Sequence, residues 1–160
     1  MNIINELGEL AISTRLMRLS ETLRRDVTRI YKEHHLNFES KWFPVLYVLI
    51  KRSPIGIIEL ADEIGYSHPS VIALVKEMQS EKLVKSVASK TDGRKRLLSL
   101  TPKACEMIEE LQELWDDFIV LNKKVATSTG LLKAIDECEA EIRKESYYDR
   151  YKKLEAKRRK

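Results

Sequence analysis

Glycine, proline and cysteine are all scarce, at five, four and two in 160 residues. So few turn-formers exclude an all-β fold, which needs many tight turns. Cys105 and Cys138 are too few and too far apart for a disulfide framework or a zinc site. The three histidines have no Cys or Asp at ligand spacing, so no metal and no cofactor are expected. No apolar run approaches the ~20 residues needed to cross a bilayer. Residues 1–9 also lack the basic start and unbroken apolar stretch of a signal peptide. A single domain in a reducing cytoplasm, without a membrane partner, is the expectation.

What is present is charge, unevenly placed. The formal net charge is +4, but residues 83–104 hold six bases against Asp92 alone, a net of +5. Residues 105–145 hold five bases against eleven acids, a net of −6, and the last fifteen residues return to +5. The acidic block reads as solvated helix faces. The basic block crowds around one short Gly turn and reads as a surface for a polyanion.

Apolar spacing predicts helices through most of the chain. Ile12, Leu16, Leu19, Leu23, Val27 and Ile30 recur at steps of three and four, marking a helix over residues 5–34 that ends at His34 or His35. A break at residues 36–38, with Asn37 or Ser40 as a cap, precedes a second helix carrying Pro44 in its first turn. That helix stops before Pro54. A short helix over 57–64 ends at Gly65. Ser67 caps the next, with Pro69 in its first turn and Val71, Leu74, Val75 and Met78 inward. Two helices joined by a short Gly-containing turn form a helix-turn-helix pattern.

Residues 83–89 and 96–100 read as two strands joined by a tight turn at 90–93, a basic hairpin. Thr101-Pro102 then starts a long helix with Ile108, Leu111, Trp115, Phe118 and Val125 on one stripe. Residues 126–130 break it, and one last helix carries Leu131, Ile135, Cys138, Ile142, Tyr148, Tyr151 and Leu154. The fold class expected is mainly α with a small β-hairpin wing.

This order resembles the MarR (multiple antibiotic resistance regulator) family. The resemblance is carried by Ile58 to Ser67 (IELADEIGYS), by Leu83-Val84 and by Asp92-Gly93-Arg94-Lys95-Arg96. Leu98-Ser99-Leu100-Thr101 completes it before the long helix. It implies a winged helix-turn-helix over residues 37–104, with residues 1–36 and 105–160 as helical dimerisation regions of one domain. It also implies a homodimer that regulates transcription at a pseudo-palindromic operator, and a small aromatic effector bound between the dimer helices and the DNA-binding lobe. Trp42, Trp115 and Phe118 are the candidates to line that pocket.

The residues support duplex DNA as the partner on their own terms. Bases are needed to neutralise phosphate, and a narrow hairpin tip carrying Arg94, Lys90 and Lys95 reaches a minor groove. Asp92 would repel phosphate, so its expected role is to orient Arg94. In the second helix of the pair, Pro69, Ile72, Ala73 and Lys76 lie opposite the inward residues, with His68 and Ser70 at the leading end. Members of the family often carry hydroxyls and arginine where this chain has Ile72 and Ala73. Ile72 and Ala73 are therefore expected to meet thymine methyls, and Ser67, Ser70 and Lys76 to hold phosphates. Operators rich in A·T pairs follow.

Two other functions are less consistent with the sequence. An enzyme lacks support, because no glycine-rich phosphate loop, nucleophile elbow or framed carboxylate pair occurs and no catalytic residue is assigned. Some members of the family continue into an acetyltransferase domain, so the frame beyond Lys160 bears on this point. A protein-binding winged helix is the second alternative, and the basic wing argues against it. Cys105 and Cys138 have acidic neighbours and are expected to be buried and inert.

Overall fold

A computed structural model of the chain describes residues 2–88 and 96–159. It is mainly helical with one small antiparallel sheet, the winged-helix architecture expected. The elements in order are α1 (Ile3–Glu6), α2 (Ile12–Glu33), α3 (Phe43–Arg52), β1 (Ile55–Gly56), α4 (Ile57–Ile64) and α5 (His68–Ser80). There follow β2 (Val84–Ala88), β3 (Arg96–Leu100), α6 (Pro102–Asn122), α7 (Leu131–Lys144) and α8 (Tyr147–Arg158). The chain divides into two compact units, residues 1–108 and 109–160.

The first unit is built around the helix-turn-helix. Val45, Leu46, Leu49, Leu60, Ala61, Val71, Val75 and Met78 are buried, so α3, α4 and α5 each turn one stripe inward. Tyr31, at the end of α2, joins this core by meeting the ring of Phe38 edge-on at 5.2 Å. Phe38 in turn meets Trp42 at 5.9 Å. Further back on α2 the apolar face changes character: Ile12, Leu16, Leu19 and Leu23 are exposed.

Three helices of this unit end by the same device. The residue after the last turn takes a left-handed conformation, and the next N–H reaches back five residues to a carbonyl. The left-handed residues are His35 (φ 58°), Gly65 (φ 75°) and Lys82 (φ 59°). The closing bonds run from Leu36 N to Tyr31 O (2.9 Å), Tyr66 N to Ala61 O (3.2 Å) and Leu83 N to Met78 O (2.8 Å). Leu36 and Leu83 are buried, which seals two of these ends with an apolar contact.

Several sequence expectations change in detail. The first helix is preceded by α1 and a 3-10 turn, Gly8–Ala11, rather than running unbroken from residue 5. The sheet has three strands, not two, because Ile55 and Gly56 pair with Leu98 and Leu97 on the far side of β3. The last helix is two: Glu145 is extended (φ −154°, ψ 124°) and Ser146 begins α8, its hydroxyl accepting from Asp149 N at 3.1 Å.

Within the second unit Leu111, Leu114 and Trp115 are buried and Phe118 half-buried, while Val125 lies in a π turn, Lys123–Thr127, and is exposed. Among the described residues α7 and α8 bury nothing, and Leu132, Ile135, Ile142, Tyr148, Tyr151 and Leu154 are exposed. Both cysteines are exposed in this chain, against expectation. Cys105 is turned off the face that buries Ala104 and Leu111, and Cys138 lies on α7, which has no covered side.

Candidate nucleic-acid interface

Burial of Val71, Val75 and Met78 fixes the rotation of α5 about its axis. Pro69, Ile72, Ala73 and Lys76 then fall on the opposite side, and all four are exposed, as are Ser67, His68 and Ser70 at the start of the helix. The structure therefore brings all seven residues expected on this helix to its surface. Ile72 is 40% exposed, on the side of α5 away from the core.

The start of α5 is held by local chemistry. Ser67 is the N-cap, its Oγ accepting from Ser70 N at 3.4 Å, and the two hydroxyls lie 2.8 Å apart. His68 Nε2 lies 3.8 Å from Asp62 Oδ1 on α4. The frame around the pair is tied by ion pairs, Arg52 with Glu63 and Lys41 with Glu77 (2.5 Å). Glu59 reaches back to accept from Gly56 N at 3.2 Å, so the first turn of α4 is closed by its own carboxylate.

The hairpin leaves α5 at Lys82 and returns into α6 at Thr101, and these two residues are bonded. Thr101 Oγ1 donates to Lys82 O at 2.7 Å and accepts from Ala104 N at 3.2 Å. Thr101 thus caps α6 and fastens the base of the hairpin together. Lys103 Nζ donates to Glu81 O at 2.9 Å, at the C-terminal end of α5 where a cation is favoured. Strand pairing runs from Val84 opposite Leu100 to Ala88 opposite Arg96; Val84 and Leu98 are buried and Leu100 is half-buried. Lys90, Asp92, Arg94 and Lys95 lie outside the described residues.

The three aromatic candidates are placed separately: Trp42 is buried in the first unit, and Trp115 (buried) and Phe118 (half-buried) belong to the second. The indole N–H of Trp42 has no hydrogen-bond partner among the described residues. Sequence reasoning passed over an open depression on α2, lined by Arg24, Arg25, Thr28, Arg29 and Lys32. Its signal was four bases within nine residues. Among the described residues no group of three or more His, Cys, Asp or Glu is placed to hold a metal ion. No described helix is long and apolar enough to cross a membrane.

Residues 36–95 match the sequence profile of the MarR family. That segment spans α3 through the opening of the hairpin, the same stretch that builds the helix-turn-helix and begins its wing. No curated protein matches the chain by sequence. Solved structures do match the MarR-like fold. A MarR/EmrR family transcriptional regulator from Acinetobacter sp. ADP1 superposes with a TM-score of 0.69 at 15% identity, over 90% of this chain and 99% of its own. S. aureus MepR, solved as a DNA complex, gives 0.65 at 13% identity, over 81% and 95%. The PcaV transcriptional regulator from Streptomyces coelicolor, solved with its natural ligand, gives 0.60 at 16% identity, over 81% and 94%.

Proposed function

We propose that this protein is a cytoplasmic transcription regulator that binds duplex DNA as a homodimer on a pseudo-palindromic operator. The observation that carries this is the outward face of α5, which presents Pro69, Ile72, Ala73 and Lys76 beyond a buried scaffold of helix-turn-helix form. The MarR-family match over this segment supports it, as does the DNA complex formed by the MepR neighbour.

In this mechanism α5 enters the major groove, and the wing, to which the sequence assigns Lys90, Arg94 and Lys95 as contacts and Asp92 as the residue orienting Arg94, takes the neighbouring minor groove. Residues 37–104 form the DNA-binding lobe. Residues 1–36 and 105–160 join two copies, because the exposed apolar residues of α2 and α7 need a covering that a lone chain does not provide. The two lobes then address half-sites about one helical turn apart, roughly 34–36 Å. A small aromatic effector adjusts that spacing. The family resemblance names Trp42, in the first unit, and Trp115 and Phe118, in the second, as its candidate contacts. The PcaV neighbour, solved with its ligand, supports an effector.

Mobility shift with fragments of the protein's own promoter, across a range of salt, tests the function. A DNA reader loses affinity steeply as salt rises, with a slope set by the phosphates it neutralises. Absence of any shift on duplex DNA in dilute buffer overturns the assignment.

A further inference from the structure

The exposed face of α5 is short of groups that read bases by hydrogen bonding. The two hydroxyls at its start, Ser67 and Ser70, lie 2.8 Å apart and are engaged with each other and with the helix cap. His68 stands at the leading end rather than the middle of the face, its Nε2 3.8 Å from Asp62 Oδ1. What remains in the middle of the face is Pro69, Ile72 and Ala73, followed one turn later by Lys76. Lysine offers donors and no acceptor, and its ammonium is suited to phosphate. The face is therefore apolar at its centre, beside a segment of residues 83–104 whose net charge is +5. Its occupant is the major groove of a polyanion rather than another apolar protein surface.

In that groove the one apolar feature on a base edge is the methyl group at C5 of thymine. Cytosine carries the same group when methylated at C5. We propose that Ile72 and Ala73 recognise the C5-methyl group itself. The contact is then made by thymine and by 5-methylcytosine, and is lost with uracil and with unmodified cytosine. This rests on the DNA-binding function proposed above and adds a regulatory consequence. Methylation of a cytosine in the half-site raises affinity, so the protein responds to the modification state of its operator.

Duplexes recovered by binding-site selection on the full chain test this, with single-atom-group changes at each position covered by α5. Burying one methyl is worth about a fourfold change in affinity. Replacing thymine by deoxyuridine at the contacted step weakens binding about fourfold per half-site, and about fifteenfold when both half-sites are changed. Replacing cytosine by 5-methylcytosine at that step strengthens binding by a similar factor. Ile72→Ala reduces both differences to below twofold and leaves the salt slope unchanged, and circular dichroism confirms that the variant is folded. Equal affinity of the wild-type protein for thymine and uracil at every position overturns the proposal while DNA binding stands. So does a difference that survives in Ile72→Ala. Failure to bind any duplex removes the underlying function instead.

Discussion

The guanidinium of Arg96 folds back across the hairpin onto Ser86, with Nε donating to Ser86 Oγ at 3.0 Å and Nη2 to Ser86 O at 3.2 Å. Two bonds to one residue of the neighbouring strand make this arginine part of the sheet. Its neighbours in sequence, Arg94 and Lys95, are assigned to DNA, and the distinction is measurable. Arg96→Ala is expected to destabilise the fold by roughly 0.5–1.5 kcal/mol, as for one or two partly exposed hydrogen bonds, with little change in salt slope. Arg94→Ala is expected to leave the melting curve in place and lower the salt slope by about one phosphate's worth. Urea titration and mobility shift over a salt series separate the two variants.

Lys82 holds a left-handed conformation at the end of α5, where a side chain carries a steric cost of about 1–2 kcal/mol. Its carbonyl accepts from Thr101 and its N–H donates to Gln79 O, both backbone atoms that glycine retains. Lys82→Gly should therefore raise the unfolding free energy by about 0.5–1 kcal/mol, the relief being partly offset by a more flexible unfolded chain. A lower urea midpoint would show that the lysine side chain contributes something its geometry conceals.

Leu19 lies in the exposed apolar row of α2. Leu19→Asp places a charge in the proposed association surface and is expected to raise the dimer dissociation constant at least tenfold, seen by sedimentation at micromolar concentration. Cys138, exposed on α7 in the single chain, gives a second readout. Its alkylation by iodoacetamide should be slow in the associated wild type and faster in the variant. Equal rates, with both proteins monomeric, would remove α2 and α7 from the interface.

The α7–α8 junction is set by charge. Arg150 donates to Glu141 O at 2.8 Å and to Glu145 O at 3.1 Å, closing the carbonyl end of α7 from the helix that follows. The Glu141 carboxylate pairs with Lys144 at 2.6 Å and with Arg150 at 3.3 Å, and Lys144 first and Arg150 second hold its carboxyl below the ordinary value of 4.5. A lowered folded value means this contribution is complete above the ordinary value and disappears as pH falls through the lower one. Acid titration followed by NMR of the Tyr147 and Tyr148 rings should show α8 loosening over that range. In Glu141→Gln the same change should be absent and α8 should be looser throughout.

The helix-turn-helix was legible because its signals are local and redundant: Gly65 ends one helix, Ser67 and Pro69 start the next, and the apolar spacing fixes both inner faces. The other two left-handed closures were not legible, since His35 and Lys82 carry none of the glycine signature, and burial of Leu36 and Leu83 supports the closing bonds only once the fold is formed. Strand β1 is two residues long and exists through its partner, Ile55 opposite Leu98, so no periodicity announces it. The break before α8 did have a signal, Ser146 with Asp149 three residues on, but the row of apolar residues through Tyr148 concealed it. The cysteines were misplaced because their residue type suggests burial, whereas their helix faces decide it. The outward row from Pro69 to Lys76 was readable from phase alone.

Gly56 is the last residue of β1 and also the N-cap of α4. With β1 on one side and β2 on the other, β3 is bonded along both edges. A tilt of the hairpin must therefore drag the beginning of α4 with it, and a shift of α4 must lever the hairpin. The paired parts of β2 and β3 are thus tied through two residues, Ile55 and Gly56, to the helix that supports α5.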